Sequence, residues 1–177
     1  MAGPSSGRRL GAELGSSKSS CLFIPLAGIG AAVFVAADVA GAKERFGVWS
    51  VVADGLFGLR RADGSTSHFL LELDRGHMPN LRHRGALEQS SIGRKLGIYY
   101  EGWKADRHVE QFGVKQLRVL IVTTSMVRVG NMIDVVKEIT GGGSNFFLFI
   151  DRERLAASSP FEAQWVSGKG EAVKLVD

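Results

Sequence analysis

Cysteine occurs once, at Cys21, which excludes an intrachain disulfide framework and any zinc site built on several thiolates. Proline is scarce, four in 177 residues, so proline-rich linkers and collagen-like stretches are excluded. Neither sign of charge dominates. Twenty-two basic against eighteen acidic residues give +4, with a pI near 9.5, a balance that permits an anionic partner such as nucleic acid without demanding one. The motifs of several enzyme classes are also missing. Ser125 and Ser158-Ser159 lack the G-x-S-x-G setting of a hydrolase nucleophile. Gly141-Gly142-Gly143-Ser144 lacks the Lys-Ser/Thr of a phosphate-binding loop and reads as a helix-to-strand turn. The four histidines, at 68, 77, 83 and 108, include no His-x-x-x-His pair that would point to zinc. What remains is ordinary for one globular domain: 45% hydrophobic and 23% charged residues.

The first 47 residues differ from the rest. Met1 to Ser20 is a Gly- and Ser-rich lead-in, followed from Cys21 to Ala37 by an apolar run with no charge until Asp38. Arg8, Arg9 and Lys18 upstream and small residues at 40–42 resemble a secretory signal, and the run approaches the length of a membrane span. Against both, Pro25, Gly28 and Gly30 would interrupt a helix. A buried helix or strand explains the run equally well, so an exported or membrane-tethered chain stands as one alternative to a cytoplasmic one.

From residue 48 onward the pattern is that of alternating strands and helices. Val48 to Val52, Leu56 to Arg61 and Ser67 to Asp74 read as strands, with Asp54-Gly55 and Asp63-Gly64 as turn signals. Leu81 to Trp103 carries a helical period in Ile92, Leu96, Tyr99 and Trp103. Leu117 to Thr123 suits a central strand, Met126 to Ile139 a helix, Asn145 to Ile150 a second buried strand, and Glu153 to Ala157 a short helix. The order predicts a mixed sheet covered by helices, with parallel neighbours on either side of each later helix.

The acidic residues Asp54, Glu72 and Asp74 are the candidates for chemistry. Glu72 and Asp74 lie two apart on one strand, so they share a face, and Asp54 on the preceding hairpin could reach the same edge. Three convergent carboxylates would suit a hard cation such as Mg²⁺ or Mn²⁺, which activates water and stabilises charge on a phosphate. The same residues also fit a turn at Asp54 and a solvated face at Glu72 and Asp74.

Five segments carry a family resemblance. They are Ala53-Asp54-Gly55-Leu56-Phe57-Gly58-Leu59, Phe69 to Pro79 around Leu71-Glu72-Leu73-Asp74, Arg94-Lys95-Leu96-Gly97-Ile98-Tyr99-Tyr100, Arg118 to Thr124, and Phe147-Leu148-Phe149. In this order and spacing, from about Val52 onward, the chain resembles the replication-relaxation family of plasmid and actinobacterial proteins, associated with plasmid replication and relaxation of plasmid DNA. Such members usually carry a winged-helix DNA-binding part ahead of this region. Residues 1–47 hold no recognisable counterpart, as expected of a truncated, fused or wrongly started chain.

The same stretch is similar to the restriction-endonuclease-like fold, an α/β mixed sheet flanked by helices whose motif is an Asp, a gap, then Glu-x-Lys. Asp54 and Glu72 match the acidic positions, Asp74 stands where the lysine is expected, and Ala53 where proline is often found. In some members the lysine comes from the following helix, and Lys95 is the candidate here: Glu88, Ile92, Lys95 and Tyr99 follow at intervals of 4, 3 and 4. A snorkelling surface lysine is the alternative for the same residue.

The resemblance implies two versions of one function. In the enzyme version, a Mg²⁺-dependent DNA nicking endonuclease, Asp54 and Glu72 bind the metal, Asp74 supports the site and Lys95 positions water. In the binding version the domain is an accessory module docking DNA or replication and mobilisation proteins, and the absence of lysine from its usual place favours that one. Between Arg75 and Arg118 nine basic residues oppose four acidic ones. Arg75, Arg82, Arg84 and Arg94 are the candidate DNA contacts, against the alternative of a solvated face with ordinary ion pairs.

Overall fold

The computed structural model describes residues 22–25, 32–35, 50–76 and 91–175. Its elements are β1 (Leu22–Pro25), β2 (Ala32–Val35), β3 (Ser50–Ala53), β4 (Gly55–Arg60) and β5 (Thr66–Leu73). They are followed by α1 (Ser91–Lys104), α2 (Arg107–Phe112), β6 (Leu117–Thr123), α3 (Met126–Thr140), β7 (Phe147–Asp151), α4 (Arg152–Ala156), β8 (Trp165–Ser167) and β9 (Ala172–Val173).

Among the described residues the larger sheet runs β1-β4-β5-β6-β7-β8-β9. The expected mixed α/β sheet is present. β4 and β5 form an antiparallel hairpin, closed by a turn in which Asp63 Oδ1 accepts from the Ser65 amide at 2.8 Å. β6 then lies parallel to β5, and β7 parallel to β6. Each parallel step requires a crossover. Helices α1 and α3 follow β5 and β6 in chain order and share one hydrophobic cluster, so both cover the same face of the sheet.

Strand alternation divides the core in two. Leu70, Val119, Ile121, Phe147 and Phe149 point toward α1 and α3, where Leu96, Tyr99, Met132 and Val136 meet them. Phe69, Leu120, Val122, Leu148 and Ile150 point the other way and are covered by Ala163, Trp165 and Leu175, with Leu155 and Phe161 at the margin. The central strands are therefore buried on both faces, which is why β6 and β7 read as near-continuous apolar runs. Ser125 caps α3, accepting from the Arg128 amide at 3.3 Å. Gly141 ends it in the left-handed conformation, φ 77°, where an L side chain would be strained.

The apolar run is neither a signal-like helix nor a spanning one in its described parts. It contributes two short strands, β1 antiparallel to β4 and β2 antiparallel to β3. Phe34 of β2 is fully buried, with its ring 5.6 Å from Tyr99 and 6.1 Å from Phe112. Strands on both sides of residue 47 thus belong to the same packed unit. No helix among the described residues is long and apolar enough to cross a membrane. The helix read from Leu81 is described from Ser91 to Lys104, and positions 81–90 lie outside the described residues.

Candidate functional site

The parallel strands β5 and β6 end side by side, and against their carboxyl ends α1 leaves a cleft of about 180 Å³. Glu72, Asp74, Arg75, Lys95 and Tyr99 line it, over an apolar floor that includes Ile121. Crevices at the carboxyl ends of parallel strands are the customary ligand sites of α/β sheets.

Glu72 is the centre. It sits on the helix-covered face of β5, and its side chain keeps 9% of its surface exposed. A carboxylate so enclosed must be compensated. Lys95 Nζ lies 2.8 Å from Oε2, and the Tyr99 hydroxyl donates to Oε1 at 2.5 Å. Lys95 and Tyr99 are four residues apart and so occupy one face of α1. Gly93 and Gly97 of the same helix are buried. Burial first, then the charge of Glu72 and its hydrogen bond, push the Tyr99 phenol above its ordinary pKa, so it stays a neutral donor.

Asp54 adjoins this pair. It lies one position beyond the last paired residues of the hairpin, Gly55 and Leu71, which brings it beside Glu72. Its amide donates to Leu71 O at 2.8 Å and its Oδ2 accepts from the Leu73 amide at 2.7 Å. The residue is exposed, and its charge also contributes to the raised pKa of Tyr99, so the two groups share one electrostatic environment.

Asp74 departs from the three-carboxylate expectation. It reaches the same cleft, but Arg128 of α3 engages both of its oxygens, through Nε at Oδ2 and through Nη2 at Oδ1 at 2.9 Å. The Thr123 hydroxyl adds a bond to Oδ2 at 2.5 Å. Burial opposes ionisation of Asp74. The hydrogen bonds from Arg128 and Thr123 outweigh it and hold the carboxyl below the usual carboxylate range. Among the described residues no group of three Asp, Glu, His or Cys side chains is arranged to hold a metal ion. What the structure brings together in the cleft is Glu72, Lys95 and Tyr99, with Asp54 on the adjoining strand end, bonded to the Leu73 amide, and Asp74 turned to its own cation.

Of the basic candidates, Arg75 is exposed on the rim of the cleft, and Arg94 is half-buried on α1. Arg82 and Arg84 lie outside the described residues, as do His77 and His83. Neither Tyr99 nor Arg128 stands out from sequence alone as a site residue. Tyr99 had a readable signal, being one helical turn after Lys95. Arg128 had none, because its partner lies 54 residues away. No protein-family model, no curated protein and no solved structure matches this chain.

Proposed function

We propose that this is a DNA-associated protein of the replication-relaxation type, serving plasmid or mobile-element replication, whose restriction-endonuclease-like cleft cuts phosphodiesters with the help of a divalent metal. The single observation that carries the reading is the contact of Lys95 Nζ with Glu72 Oε2 at 2.8 Å, next to Asp54. It supplies, from the following helix, the acid–lysine partnership that Asp74 cannot make within the strand.

The donor set fits a hard cation. Asp54 and Glu72 offer only oxygen, and Asp54 Oδ2 and both Glu72 oxygens, which each accept one bond, keep a second acceptor direction. These two residues would hold Mg²⁺ or Mn²⁺, which when bound neutralises charge on a phosphate and makes water more acidic. The chain's own groups do the rest. Tyr99 fixes the orientation of Glu72, and Lys95 carries a positive charge and movable protons at Nζ into the cleft. Arg75 offers a guanidinium to a phosphate on the rim, while Ile92, Leu96 and Ile121 keep the floor dry.

The test is nicking and linearisation of supercoiled plasmid with Mg²⁺ or Mn²⁺. Glu72→Gln should abolish cleavage while DNA binding persists. Equal behaviour of the parent and Glu72→Gln would overturn the catalytic assignment. A second reading, a docking module for DNA or replication proteins, is favoured by the engagement of both Glu72 oxygens, by Lys95 and Tyr99. It predicts DNA affinity without cleavage. Either role belongs in the cytoplasm, and recovery of the chain in membrane or extracellular fractions would refute that.

A further inference from the structure

The cleft carries a cation of its own. Lys95 keeps 29% of its side-chain surface exposed, against 9% for the Glu72 carboxylate it neutralises. Its side chain therefore spans from the enclosed acid, where Nζ is bonded, toward solvent, on a four-carbon stem that can swing. The other donor to Glu72, Tyr99, is fully buried and uncharged, so it has neither the room nor the electrostatic reason to leave.

We infer that Lys95 is a built-in competitor for the divalent cation at Glu72. Its ammonium compensates the carboxylate in the metal-free chain and gives up that place when the ion is bound, becoming available to a phosphate in the cleft. The inference rests on the reading of Asp54 and Glu72 as metal ligands. Charge arithmetic drives it: two carboxylates and one ammonium sum to −1, and a divalent ion turns the sum to +1. Lys95 then faces repulsion from the ion where it had attraction from Glu72. Arg75, exposed at the same cleft, adds to the positive side of this balance, while Asp74 does not relieve it, being held by Arg128. Metal loading and the freeing of Lys95 are in this way one event, and the lysine suppresses loading until the ion is abundant.

The experiment titrates Mn²⁺ alone, without DNA, into the full chain and reads free Mn²⁺ by electron paramagnetic resonance. Lys95→Met should bind Mn²⁺ about fivefold more tightly than the parent, the scale of losing one partly exposed ion pair. Lys95→Arg, which keeps the charge, should stay near the parent, and Glu72→Gln should lose the site. If Lys95→Met does not fold, Lys95→Gln answers in its place, keeping a donor without the charge. Parent binding that is unchanged or weakened in the uncharged variants overturns the inference while sparing the metal assignment. No binding in the parent or in any variant overturns both. Binding that emerges only when the charge is removed supports both.

Discussion

Asp74, at the end of β5, is clasped by Arg128, in the first turn of α3, across 54 positions of chain. The two side chains keep only 3% and 6% of their surface exposed. The guanidinium covers both carboxylate oxygens, and the Thr123 hydroxyl joins from the end of β6. One polar cluster thereby fastens a helix to the ends of two parallel strands, immediately beside the cleft that holds Glu72.

Removing one half of this pair leaves the other buried and uncompensated. Arg128→Met should lower unfolding free energy by about 3 kcal/mol, measured by urea denaturation. Adding Asp74→Asn should recover a substantial part of that loss, because the orphaned charge is then gone. Additive losses in the double variant would show that the pair is not the source.

Acid stability should carry the mark of the same carboxylate. The folded-state pKa of Asp74 is depressed, so its stabilising contribution is present above the unfolded value of about 4 and is lost as pH falls through the lower folded value. Stability measured from pH 6 downward should therefore fall less steeply in Asp74→Asn than in the parent, in the range below about pH 4. Parallel curves would contradict this assignment.

Tyr99 predicts the opposite limb. Its folded pKa is raised, so its contribution holds below the unfolded value of about 10 and is lost as pH climbs beyond it. Tyr99→Phe should cost about 1–2 kcal/mol at neutral pH by depriving Glu72 of a donor. It should also flatten the alkaline decline seen above about pH 10. Thermal melts across pH 7 to 11 measure both effects.

DNA binding should be sensitive to the rim of the cleft. Arg75→Ala should weaken affinity across sequences alike and reduce the salt slope by about one unit, as expected for loss of one phosphate contact. Filter binding at several salt concentrations decides it. An unchanged slope would remove Arg75 from the interface.

The parts legible in the sequence were those specified locally. β5, β6, α3 and β7 fall within a residue or two of their apolar runs and capping signals, because burial on both faces or on one helical stripe fixes each of them. The meeting of Glu72 with Lys95 was readable only in part: the 3.6-residue period sets the lysine near the sheet-facing stripe, but strand alternation alone does not say which face of β5 the helix covers. The apolar run at 21–37 was not. Whether such a run forms a helix or strands depends on partners, and its partners, residues 50–53 and 57–60, lie beyond it in the chain. Asp74 misled for a similar reason. A carboxylate two residues from Glu72 shares its face, but only the packing of α3 determines that an arginine claims it. Tyr99 was visible as an apolar stripe member, and its hydroxyl gained a role only once Glu72 was opposite.

The side of the sheet turned away from α1 and α3 is roofed by residues 155–175, which follow every strand they cover. During translation those strands leave the ribosome before their roof. For the seconds needed to make this stretch, Phe69, Leu120, Leu148 and Ile150 present an oily sheet surface to the cell. A stalled or prematurely ended message would therefore yield a half-clad sheet, the kind of surface that chaperones recognise, even with every residue of the cleft already synthesised.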